Sequence, residues 1–257
     1  MSIPVGVVLI CLAVALAVGG LILVQRFVPI AVRRQHNDVA GFIYAVLGVT
    51  YAVLLGLMVV AVWEEWNTAG RTADTEASSL AEIFWIADRL PESDGRRIQE
   101  LARSYARVVV DEEWALMQHE KSSPRAWDLL DDIRATLQTF DPSTPQEQVL
   151  YEQSLERMKD LSDARRDRLL EADQGLPVIL WVVLITGGVI VVGFTYLFGL
   201  QSTIIHLLMV ASLALVIALV LFTVAALNFP FEGDITIKPE AMENVLGRFE
   251  TSKLSNL

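Results

Sequence analysis

Apolar and polar positions along this chain are sharply segregated. Residues 2–24, 39–63, 176–200 and 202–227 contain no Asp, Glu, Lys or Arg, and at 1.5 Å per residue each run can cross a hydrocarbon core of roughly 30 Å as a helix. Four transmembrane helices are therefore expected. In the second run Gly41, Ala45, Gly48, Ala52 and Gly56 recur at steps of four, three, four and four. The smallest side chains thus share one helix face, where a neighbouring backbone can approach closely, and this face is expected to be a packing seam. Past Trp63 the residues Glu64, Glu65 and Trp66 mark the exit into water, yet Trp66, Ala69, Ala73, Ala77, Leu80, Phe84 and Ala87 keep the helical period. The second span is expected to continue into a soluble stalk as one long helix.

The polar stretch that follows also shows helical periods. Over 93–120, Ile98, Leu101, Tyr105, Val108, Val109 and Leu116 form one stripe at steps of three and four, with Glu112 at its centre and Glu113 and Trp114 turned away. A carboxylate on a buried face needs a partner or a proton. Glu112 is accordingly expected either to pair with an arginine such as Arg103 or Arg107, or to line a water-filled path as a titratable, ion-contacting group. Ser123 and Pro124 open a further helix over 125–140, with Trp127, Leu130, Ile133, Leu137 and Phe140 as core positions. After a break at 141–145, a last helix over 146–173 is expected to run on into the third span.

Between the first two spans the loop 25–38 carries Arg26, Arg33, Arg34 and His36, with His36 solvated. Short Arg-rich loops favour the cytoplasm, but Arg71, Lys159, Arg165, Arg166 and Arg168 oppose that count from the other side of the membrane. Gly187 and Gly188 in the third span suit helix packing or a kink. The turn 199–203 makes the last two spans a hairpin, one turn into which His206 is expected to hydrogen-bond at the interface or to sense protons. Beyond the fourth span, Asn228, Pro230, Phe231 and Gly233 bracket a sharp membrane exit. The alternation Asp234, Ile235, Thr236, Ile237, Lys238 then suggests a short extended segment before a final helix.

The boundaries that follow are 1–63 for two spans with their basic loop, 64–175 for a helical soluble domain, 176–227 for two more spans and 228–257 for a tail. Charge changes this picture in one respect. The 64–175 segment holds 25 acidic and 14 basic residues, and its balance of −11 equals that of the whole chain. Such a domain disfavours nucleic acid and anionic lipid surfaces and attracts cations weakly. The single cysteine, Cys11, lies inside the first span, so no intrachain disulfide forms. No phosphate-binding glycine loop or metal-ligand spacing is present, and the three histidines are isolated at 36, 119 and 206. No enzyme activity, cofactor or metal is expected. No acid or base sits in the middle of a span, which weighs against proton pumps and ion-coupled transporters.

The run 41–56 with Trp63 and Trp66, then Glu113 and Trp114, 176–181, and Pro230, Phe231 and Gly233 together resemble the bacterial bestrophin-like membrane proteins over nearly the whole chain. That family usually has an aspartate shortly before its Pro-Phe-x-Gly element, where this chain has Asn228. The resemblance implies an all-α, inner-membrane protein with four spans and a helical domain inserted between the second and third. It also implies a pentameric assembly around a pore lined by span two, with the inserted domain and both termini in the cytoplasm. Bestrophins narrow the pore with apolar and aromatic side chains of span two; here Tyr44, Tyr51, Leu55 and Met58 are the candidates.

Two functions compete. In the first, the chain is a homo-oligomeric channel for inorganic ions, embedded in the bilayer, with the acidic domain as a vestibule. In the second, it is a non-conducting scaffold or sensor whose helical domain binds a partner. A channel needs span two to face a wet central axis in a ring. A scaffold needs the small-residue seam to be filled by the protein's own spans.

Overall fold

The computed structural model describes residues 2–254, which contain no β-strand. In chain order the helices are α1 (Ile3–Phe27), α2 (Ile30–Arg34), α3 (Asn37–Ala87), α4 (Glu92–Val108), a π-helical turn (Val109–Glu113), α5 (Trp114–Met117), α6 (Pro124–Thr139), α7 (Pro145–Asp173), α8 (Val178–Thr195), α9 (Thr203–Leu227) and α10 (Glu240–Leu254). Four of these, α1, α3, α8 and α9, are long and apolar enough to cross a membrane. The expected long helix exists, since α3 is unbroken over 51 residues. The expected run from α7 into the third span does not. Gln174 and Pro177 both have ψ in the extended range, 124° and 138°, and the chain restarts as α8 after Pro177. Two compact units result, one of residues up to Glu64 with Gly175–Asn228, the other of Glu65–Gln174 with the residues from Phe229 onward.

In the apolar unit α1 packs along α9 through Ala17, Leu21, Val210 and Ala214. From α3, Tyr51, Leu55, Met58 and Val62 join Leu184 and Val191 of α8 and Ile217 and Val224 of α9 in a second cluster. Gly187 and Gly188 make the slot for Tyr51. A Cβ on Gly187 would stand 2.7 Å from a ring carbon of Tyr51, and one on Gly188 2.9 Å from its hydroxyl oxygen. That hydroxyl donates to the Leu184 carbonyl at 2.8 Å, so a tyrosine among apolar helices has its polar end satisfied.

The basic loop is more structured than its composition suggests. Arg33 is buried and donates from Nη1 to the carbonyls of Tyr196 and Phe198, at 3.4 and 3.3 Å, where α8 ends with unpaired acceptors. Asn37 bonds both the carbonyl and the N–H of Gly199, at 3.2 and 3.0 Å. His36 is exposed. His206 is buried, with Nε2 3.0 Å from the Thr195 carbonyl and Nδ1 3.4 Å from the Gln25 amide nitrogen. At the opposite end of α9, Asn228 accepts from the N–H of Leu176 at 2.7 Å, just before α8 begins. Its neutral amide thus takes an orphan donor ahead of that helix.

The polar unit is built on the second half of α3. Ala69, Ala73, Ala77, Leu80, Ile83 and Phe84 share its core with Ile98, Leu101, Ala102 and Tyr105 of α4, Leu130, Ile133 and Leu137 of α6, and Met158 and Leu161 of α7. A capping box starts α7, with Thr144 accepting from the N–H of Glu147 at 3.1 Å. The segment after Asn228, expected as a separate tail, belongs to this unit. Phe249 of α10 is buried and stacks on Phe84 at 3.9 Å, and Arg103 donates to the Phe249 carbonyl at 3.3 Å. Phe231 is also buried, edge-on to Trp114 at 5.6 Å.

Residues 234–238 form no strand. The Ile237 N–H donates to the Pro230 carbonyl at 2.8 Å, and the chain closes a loop through Gly233, whose φ is 86°. An L-residue in that conformation is strained by about 1–2 kcal/mol. Gly233→Ala will lower stability by that amount, read from the denaturation midpoint of the full-length protein in detergent.

Candidate functional site

Two places concentrate features that packing alone does not require: the free face of α3 in the apolar unit, and a buried charge cluster in the polar unit.

The cluster rests on a register shift. A regular α-helix through 98–116 would place Glu112 and Leu116 inward. The π-helical turn at Val109–Glu113 takes up one extra residue, so the inward row moves on by one, to Glu113 and Met117. Glu112 is therefore not the buried acid. Its side chain is 42% exposed and pairs with Arg125 at 2.9 Å, while Arg103 and Arg107 turn to Phe249 and Glu250 of α10. Glu113 has no exposed surface. Arg165 grips it with two parallel bonds of 2.5 and 2.6 Å, the Ser123 N–H donates to it at 3.0 Å, and Arg168 reaches it at 2.9 Å. Arg168 also takes Glu76 of α3 through Nε and Nη2, at 2.5 and 3.0 Å, and the Tyr105 hydroxyl donates to Glu76 at 2.6 Å.

Aromatic faces complete the enclosure. The Arg165 guanidinium lies 4.5 Å from the Trp127 ring centre, and that of Arg168 lies 5.0 Å from that of Trp114. Burial by itself pushes the Glu113 carboxyl up, but Arg168 and Arg165 beside it, with the Arg165 and Ser123 hydrogen bonds, hold it below the ordinary carboxylate range. Burial, then the Glu76 carboxylate, pushes the Tyr105 hydroxyl well up, so it stays a neutral donor. Two carboxylates and two guanidiniums balance, and the group ties α3, α4, the π turn and α7 together. Its members satisfy one another across these elements and hold them in place. A weak signal was present in the sequence, because Glu76 stands three residues after Ala73 and four before Leu80 on the stalk's apolar stripe.

The apolar half of α3 shows a different pattern. Tyr51, Leu55 and Met58, expected as pore constrictions, are buried within the protomer, and Tyr44 is half-buried against Phe194 and Phe198. The reason is the glycine slot in α8, which fixes Tyr51 inward. Phe42, Val46, Val49, Val53, Leu57 and Val60 are exposed instead. Of the expected seam, Ala45 and Ala52 are exposed, and a Cβ on Gly48 or Gly56 would meet nothing within 4 Å. At Gly41 a Cβ would meet only the Phe198 ring, at 4.0 Å. With about 100° per residue, the small row centres roughly 100° round the helix from the buried row, and the large exposed row roughly 200°. The helix thus carries a buried face, a small-residue flank and a free apolar face. No group of His, Cys, Asp and Glu that could hold a metal occurs among the described residues.

Known proteins place this architecture. No curated protein matches the chain. Solved structures do: a bacterial bestrophin homologue from Klebsiella pneumoniae, phased with zinc, is 14% identical and superposes with a TM-score of 0.69 over 93% of this chain and 96% of its own. A point mutant of a bestrophin homologue from the same organism gives 0.70 over 95% and 96%, also at 14% identity. A crystal structure described as a membrane protein gives 0.70 over 92% and 95%, at 13% identity. At such identities these likenesses establish the fold. The model of the bestrophin-like domain matches residues 11–242, nearly the whole chain. The chain therefore belongs to the bestrophin-like family.

Proposed function

We propose that the protein is a homo-oligomeric ion channel in the inner membrane, with four spans per subunit, the acidic helical unit inserted between the second and third on the cytoplasmic side, and α3 around the axis. The observation that carries this reading is the division of α3 into three faces. Its buried row is committed to α8 and α9 of the same subunit. Gly48 and Gly56 on its small-residue flank meet nothing within the protomer, which disfavours a scaffold whose spans fill their own seam. In a ring, that flank lets neighbouring copies of α3 approach closely. The free row of Val46, Val49, Val53 and Leu57 then faces the axis as an apolar constriction of the kind that gates by dewetting. The net charge of −11 supports a vestibule that concentrates cations.

Subunit number tests the assembly. Native mass analysis of the detergent-solubilised protein is expected to give a ring of about five, the number implied by the family resemblance. Gly48→Leu with Gly56→Leu will shift it toward monomer, because these side chains obstruct the flank without touching the subunit's own core. A monomeric or dimeric wild type removes the central pore.

A further inference from the structure

At the end of the apolar unit formed by α2 and the turn 196–202, a groove opens whose lining and charge suit a lipid. It has a volume of about 240 Å³ and is lined by Tyr44, Thr195, Phe198, His206, Met209 and Leu213, among other residues. Beside it Ile205 and Met209 are exposed in a stretch of chain apolar enough to lie in a bilayer. The polar atoms of Thr195 and the Nε2 of His206 are already committed, since His206 Nε2 and the Thr195 carbonyl engage each other and the Thr195 hydroxyl donates to the Val192 carbonyl. An acyl chain meets such a surface without leaving a buried polar group unpaired.

One end of the groove is basic. The Phe198 ring lines the groove while its carbonyl accepts from Arg33. Arg33 is more than nine-tenths buried, and its Nε has no partner. Arg34, next in sequence, is exposed. Residues 25–38 carry Arg26, Arg33 and Arg34 against one acid, Asp38. Two adjacent arginines at an apolar–polar boundary, one of them exposed, match a phosphate ester, and one phosphodiester with attached acyl chains meets both features together. We propose that this corner binds one anionic phospholipid, its phosphate taken by Arg33 and Arg34 and an acyl chain lying in the groove between Tyr44, Phe198 and Leu213.

The test uses delipidated full-length protein in detergent and native mass analysis with added dioleoyl-phosphatidylglycerol or dioleoyl-phosphatidylcholine. The wild type is expected to bind phosphatidylglycerol at least about fivefold more tightly, the difference that one arginine near a lipid surface makes. Arg34→Gln will reduce that preference. Arg33→Gln will abolish it where the protein folds; because Arg33 also caps α8, the exposed Arg34 supplies the independent variant. Leu213→Trp fills the groove and will weaken both lipids while leaving their ratio unchanged. Equal binding of the two lipids by the wild type overturns the proposal, as does a preference that survives both arginine variants or an affinity untouched by Leu213→Trp. Full displacement of phosphatidylglycerol by an equal concentration of inorganic phosphate would identify a free anion as the ligand and overturn it too.

Discussion

Arg168→Met will destabilise the helical unit by about 3–5 kcal/mol, the usual consequence of removing one partner from a buried ionic group. Arg168 is the member that bridges, contacting both Glu76 and Glu113. Without it Glu76 keeps only the Tyr105 hydroxyl and Glu113 only Arg165 and the Ser123 N–H, in a site closed to water. Each carboxylate must then remain charged with too little compensation or take up a proton. Methionine occupies a similar volume, so the loss is electrostatic rather than a cavity. The comparison is Arg125→Met. Its pair with Glu112 is 66% and 42% exposed, and its removal will cost less than about 1 kcal/mol. Urea titration of the two variants, followed by the fluorescence of the tryptophans, separates them. Equal effects would show that the inward acid is not Glu113.

For the proposed pore the contrast lies within α3. Val53→Ser will raise ion flux through reconstituted liposomes by about tenfold, because a hydroxyl on the free face wets an apolar constriction and a gain of that size needs only ~1.4 kcal/mol of barrier. Tyr51→Ala, two residues away, acts on another property. It empties the slot between Gly187 and Gly188 and removes the bond to Leu184, a loss on the scale of about 3–5 kcal/mol for a large buried aromatic. Its signature is a lower unfolding midpoint in detergent, not a faster channel. Higher flux from Tyr51→Ala with unchanged flux from Val53→Ser would reverse the assignment of the two faces.

Hydropathy and period were enough to read the four apolar helices, the long α3 and the helical stretches of the polar unit, while the family was read from the resemblance of particular runs such as 41–56. Those features depend on properties summed over many residues, so one misplaced side chain does not disturb them. The orientation of α3 was harder to read. Small residues were taken as the seam and aromatic ones as pore candidates, but the glycine pair that receives Tyr51 lies more than a hundred residues further on, and only the fold brings the two together. The same holds for Arg33, counted only as a basic residue of the loop, whose acceptors at Tyr196 and Phe198 are distant in sequence. Arg165 and Arg168 had been counted only as basic flanking residues. Their partners Glu76 and Glu113 sit on two other elements, and Glu113 was hidden by the assumption of a constant 3.6-residue turn.

That assumption fails at Val109–Glu113, and the failure bears on how the length of this chain can vary. One residue is taken up inside the helix, so the faces on its two sides are set independently of each other. Deleting a single residue there would let the turn relax to a regular α-helix and still bring Glu113 and Met117 inward. Elsewhere in α4 the same deletion would rotate everything downstream by about 100° and carry Glu113 away from Arg165. The π turn is thus the point in this helix where a sequence can shorten without exchanging its inside for its outside.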